Sequence, residues 1–73
     1  MPFTPNAFSV GDFVVVDRPE SNERGTFSAG TEFQIIDIVE KHGTRYYDLR
    51  DHEQNLLFGV PASDLRPSSI ERP

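Results

Sequence analysis

Asp48, Asp51, His52 and Glu53 are the densest group of side chains able to move protons or hold a metal. Acid–base or metal chemistry needs such groups to converge in one concave site. Their spacing works against this. Asp48 and Asp51 diverge on an extended strand, because successive residues alternate faces. His52 then falls in a turn, and His42 falls in another, beside Gly43. No phosphate-cradling glycine loop, nucleophile elbow or zinc-binding His-Glu-x-x-His pattern occurs. The chain has no Cys, so it can form neither a disulfide nor a thiolate metal site. These residues predict no catalytic centre, no metal and no cofactor.

What remains is recognition. Twelve acids oppose seven bases, giving a net charge of −5. The acids spread along the chain, and no three bases cluster. Duplex DNA binding normally needs a basic face, because phosphate neutralisation supplies much of the affinity. The balance argues against direct duplex contact and for attraction to a basic surface on a partner protein. Solubility alone is the plainer use of the same charge.

The elements that must carry recognition are strands. At 73 residues the chain is one small domain. Below about 70–80 residues a single core supplies only a few kcal/mol of net stability, which leaves little room for a deep pocket. Residues 1–7 read as a flexible arm, 8–67 as the folded body and 68–73 as a disordered tail. No helical period is sustained. β-Branched and aromatic runs alternate with turn residues instead. Strands are predicted over Asp12–Asp17, Glu32–Lys41, Arg45–Asp51, Leu56–Val60 and Leu65-Arg66, with Pro61–Asp64 as one short helical turn. Pro19–Gly30 reads as a long polar loop, and His42-Gly43 as a tight hairpin turn. In the second strand Phe33 and Ile35 share one face while Ile36 and Ile38 share the other. The inward face therefore switches near Ile35-Ile36, which predicts a bulge.

Strand alternation places the candidate contacts. With Val10, Val14 and Val16 inward, Phe13 and Val15 face outward as a partner patch, or are covered by the arm through Phe3. With Tyr47 and Leu49 inward, Tyr46, Asp48 and Arg50 face outward, and a Tyr between charges suits an interface anchor. Ordinary cross-strand pairing is the alternative role for Tyr46. In the long loop Glu20 and Glu23 suit a basic partner. Phe27 is either the loop's apolar anchor or a cap on the core.

The order Phe8-x-Val10-Gly11-Asp12-x-Val14-x-Val16, a long loop, a three-strand meander and then Val60-Pro61-x-x-Asp64-Leu65-Arg66-Pro67 resembles the SH3-like barrel superfamily, with its KOW and Tudor-type bacterial relatives. The resemblance covers Phe8–Pro67. It implies an all-β fold: a small five-stranded antiparallel barrel with a short helical turn before its last strand. Two departures bear on function. The chain has no Trp, which sets aside the proline-rich-peptide site of eukaryotic SH3 domains, and its loops are acidic where KOW-type RNA binders are basic. In size and acidity the chain also resembles small phage-encoded regulators that bind bacterial RNA polymerase.

The expectation is a non-enzymatic, cytoplasmic protein-binding module, monomeric on its own. It would dock on a larger bacterial machine such as RNA polymerase and act by occlusion or subunit displacement. A single-stranded RNA binder that stacks bases on its aromatics is the first alternative. An accessory subunit that stabilises an enzyme is the second. No secretory leader or membrane span is expected.

Overall fold

Four consecutive β-favouring residues, Phe13-Val14-Val15-Val16, open the sheet, and the turn before them sets where it starts. Ser9 N–H donates to Asp12 Oδ2 at 2.9 Å, and Asp12 N–H returns to the Ser9 carbonyl at 3.0 Å. Gly11 takes a φ of +97° between them, a conformation glycine adopts without steric cost. The computed structural model describes residues 8–68. The strands are β1 (Phe13–Val16), β2 (Glu20–Asn22), β3 (Gly25–Phe27), β4 (Glu32–Lys41), β5 (Thr44–Arg50), β6 (Leu56–Pro61) and β7 (Leu65–Pro67), with a 3-10 turn at Ala62–Asp64.

Five strands form one antiparallel sheet in the order β6-β5-β4-β1-β7, and β2 and β3 form a separate two-stranded ribbon. The fold is therefore mostly β, as expected. The ribbon corrects the reading of Pro19–Gly30 as loop. Asn22 makes it possible: its Oδ1 accepts from the Arg24 and Gly25 N–H groups at 2.8 and 3.1 Å, so the side chain builds the turn itself. The expected arm, Phe3 included, and all but Ser68 of the expected tail lie outside the described residues.

The face switch in β4 is present. Ile35 pairs with Leu49 and Asp37 with Asp48, so Ile36 is the extra residue of a bulge. Beyond it Ile38, not Ile36, faces Tyr47 and packs on the core. A second irregularity lies between β5 and β6. Tyr47 pairs with Val60 and Leu49 with Leu57, so Asp48 opposes both Phe58 and Gly59. Gly59 takes a φ of +71° there, and its N–H donates to Asp48 Oδ1 at 3.1 Å.

The core holds Phe8, Val14, Val16, Phe33, Ile35, Tyr47, Leu49, Leu57, Val60 and Leu65. Phe8 meets Tyr47 edge-on at 5.7 Å, a favourable aromatic arrangement. Val10 was expected inside and is instead 59% exposed. The Ser9–Asp12 turn breaks the alternation before it reaches Val10, and Phe8 takes the buried place. Among the described residues no helix is long and apolar enough to cross a membrane.

The β4–β5 hairpin turns on His42 and Gly43, with φ of 52° and 77°. Positive φ at both positions matches the mirror-image turn that fits strand twist, where Asn-Gly is preferred. His42→Asn is expected to raise stability by about 0.5 kcal/mol. A urea midpoint that stays level or falls would contradict this.

Candidate functional site

The residues flagged for chemistry are occupied by structure. Asp51 Oδ1 accepts from the Glu53 and Asn55 N–H groups at 2.9 and 2.8 Å, and its Oδ2 accepts from Asn55 Nδ2 at 3.1 Å. Burial raises its pKa, but these hydrogen bonds and nearby His52 outweigh burial, so the carboxyl titrates below its ordinary range. Asp51 thus shapes the β5–β6 turn. His52 reaches back to the buried Glu32, Nε2 to Oε1 at 2.7 Å, and Ser68 Oγ donates to the other oxygen, Oε2. Ser68 and His52 thus meet the same carboxylate from two sides. Among the described residues no three His, Cys, Asp or Glu side chains converge to hold a metal.

A second cluster joins the ribbon to the 3-10 turn. Glu20 was expected on the rim, free to meet a partner; it is half-buried, and its Oε2 is buried without a hydrogen-bond partner. Asp64 faces it and is paired with Arg18 at 3.3 Å. Arg66 pairs with Asp17 at 3.2 Å nearby. Burial, then the hydrogen bond to Asp64 and its charge, push the Glu20 carboxyl up to about 7, with Arg18 opposing and Asp17 adding to the rise. With both carboxyls ionised neither can donate, so a proton on Glu20 supplies the hydrogen bond between them. Glu20 tunes the ribbon's attachment more than it displays charge.

The remaining expected residues fall in different places. Phe27 packs on the core, edge-on to Phe33 at 5.2 Å, as a cap and not as an outer anchor. Glu23 is exposed at the ribbon tip. Phe13 and Val15 are half-buried on the outer face. Phe13 lines a shallow cleft of about 260 Å³ with Gln34, Arg50 and His52. Phe13, Gln34, Arg50 and Leu56 form one rung across four strands. Tyr46, Asp48 and Arg50 do face outward, opposite Tyr47 and Leu49. Tyr46 lies between Val39 and Pro61 in a second rung, and Asp48 also holds the Gly59 bulge.

The most exposed large apolar side chain described is one the sequence reading passed over. Phe58 is 64% exposed, with Leu56 at 40% on the same outer side of β6. Arg50 faces out, its partner Leu56 must also face out, and the period of two carries this to Phe58. Beside them a groove of about 440 Å³ runs between β6 and the ribbon tip, lined by Asn22, Glu23, Arg24, Leu56 and Phe58 among others. A neighbouring polar groove of about 410 Å³ shares Asn22, Arg24 and Asn55 with it and adds Asp51 and Glu53. Aromatic and aliphatic groups at the edge of a sheet, rimmed by acids, can anchor another chain.

No family model, curated protein or solved structure matches this chain.

Proposed function

We propose that this chain is a non-enzymatic protein-binding module, built on an SH3-like barrel, that docks on a basic surface of a larger partner. The barrel reading draws on the strand order, on the 3-10 turn joining edge strands β6 and β7, and on the ribbon between β1 and β4. The observation that carries the docking reading is Phe58, 64% exposed and flanked by Leu56 on an edge strand. Small soluble domains seldom place apolar side chains together outside without a use. The net charge of −5 steers the module toward basic partners, a chemistry found on the working faces of nucleic-acid machines such as RNA polymerase.

The RNA alternative would stack bases on Tyr46. Asp37 and Asp48 pair directly opposite one another close by on the outer face, where their charges would repel phosphate. Protein docking is the better fit to that surface.

Phe58→Asp tests the reading. The side chain is exposed, so the melting temperature should move by no more than about 2 °C. Affinity for a protein partner captured from nuclease-treated bacterial lysate should fall by about tenfold or more, the loss of one central aromatic anchor. Unchanged affinity would remove Phe58 from the contact, and binding that nuclease abolishes would favour RNA.

A further inference from the structure

We infer that the outer edge of β6, beside the β2–β3 ribbon, accepts an extended basic segment of a partner protein as an added strand. This rests on the docking reading above and specifies how the docking is made.

β6 ends the sheet, so one side of its backbone has no strand against it among the described residues. Its orientation can be read from two hydrogen bonds. Asn22 Nδ2, on the ribbon side, donates to the Leu56 carbonyl at 2.7 Å, so Leu56 points its backbone groups away from β5. In an antiparallel strand both backbone groups of a residue point to one side, and the side alternates along the chain. Leu57 therefore turns to β5, and Phe58 again presents its N–H and C=O outward. At Gly59 the bulge ends this alternation: its N–H donates to the Asp48 side chain, and the next residue to pair with β5 is Val60, opposite Tyr47. Asn22 already makes at Leu56 the kind of bond an added strand would make at Phe58.

The groove of about 440 Å³ lies along this edge. Its lining includes the β6 residues Leu56, Leu57 and Phe58 and the ribbon residues Ser21 to Arg24. Sheets usually guard an edge with charge, proline or a bulge. Here residues 54–63 carry no charged side chain, and the guards come late, at the Gly59 bulge and Pro61. Leu56 and Phe58 would pack against alternate side chains of the incoming strand.

Charge selects the occupant. The two adjoining grooves are lined by Glu23, Asp51 and Glu53 against one base, Arg24. Asp51 is held ionised by its turn. A segment with Lys or Arg alternating with apolar residues fits this rim. A second copy fits less well, because each carries −5 and meets the other with its own acids and its own ribbon beside β6.

The test uses the full chain, ¹⁵N-labelled, and a capped heptapeptide alternating Lys and Val. Amide shifts are expected at Asn22, Arg24, Leu56 and Phe58, with exchange at the Phe58 amide slowed about tenfold at saturation. A twin with Glu for Lys should bind at least about tenfold more weakly. A peptide N-methylated at alternate bonds on its pairing edge should not bind. Three results would overturn the inference: equal binding by the N-methylated peptide, equal binding by the acidic twin, or Phe58 protection that grows with protein concentration alone and so assigns the edge to a second copy. Each leaves the docking reading standing if Phe58→Asp still loses its partner. Both fall if neither peptide nor partner binding responds to Phe58.

Discussion

Phe33→Ala leaves the chain without a stable fold at 25 °C. Phe33 is 1% exposed, pairs with Val14 in the β1–β4 ladder and meets the Phe27 ring in a T-shaped contact at 5.2 Å. Truncating a buried Phe costs roughly 3–5 kcal/mol through lost burial and the cavity left behind. A single core in a chain this short supplies a net stability of only about that size. The substitution also takes away the surface that holds Phe27, so the ribbon loses its seat together with the core. The expected spectrum is the collapsed amide dispersion of an unfolded chain. A cooperative melt within a few degrees of the parent would show that the core does not sit where these contacts place it.

Glu20→Gln raises stability above pH 7 and leaves it nearly unchanged at pH 5. In the folded chain the Glu20 carboxyl titrates at about 7 against an ordinary value of 4.5. A raised folded pKa means that the folded state holds the proton more tightly. The stability this adds is complete below about 4.5 and is lost as pH rises through 7. The full shift sets an upper bound near 3.4 kcal/mol at ~1.36 kcal/mol per unit. Partial exposure screens it, and about 1–2 kcal/mol is the expected loss by pH 8. An amide carries no charge and can donate to Asp64 at any pH, so the variant avoids that loss. Its melting temperature should exceed the parent's by roughly 5–10 °C at pH 8. Equal differences at pH 5 and pH 8 would show that Glu20 does not titrate against Asp64.

The strands of the main sheet were legible because their signals are local. Phe13–Val16, Phe33–Val39 and Tyr46–Leu49 are β-branched and aromatic runs, and the step from Phe33/Ile35 to Ile36/Ile38 places a bulge near Ile35-Ile36, where the pairing makes Ile36 the extra residue. The ribbon was not legible in this way. Glu20–Asn22 and Gly25–Phe27 are too short to show alternation, and they pair because Asn22 closes the turn and Phe27 finds Phe33. Val10 misled because a period of two was carried through Gly11, where the chain turns.

The candidate surface was the hardest part to read. Leu56-Leu57-Phe58 is a continuous apolar run, and which member faces out depends on the register against Arg50 and on the bulge at Gly59. Glu20 reversed in the opposite sense. A carboxylate in a polar segment reads as exposed, and only the approach of Asp64 from far along the chain reveals its half-buried place.

The outward face and free edge of β6 are the proposed docking surface of this chain. The most direct test compares backbone amide exchange across the full chain, free and in complex with a protein partner captured by the parent and lost by Phe58→Asp. Protection confined to Leu56–Gly59 and the ribbon tip at Asn22–Arg24 is the predicted result. Protection confined to the Asp17–Glu20–Asp64 side, with β6 exchanging as freely as before, would contradict it.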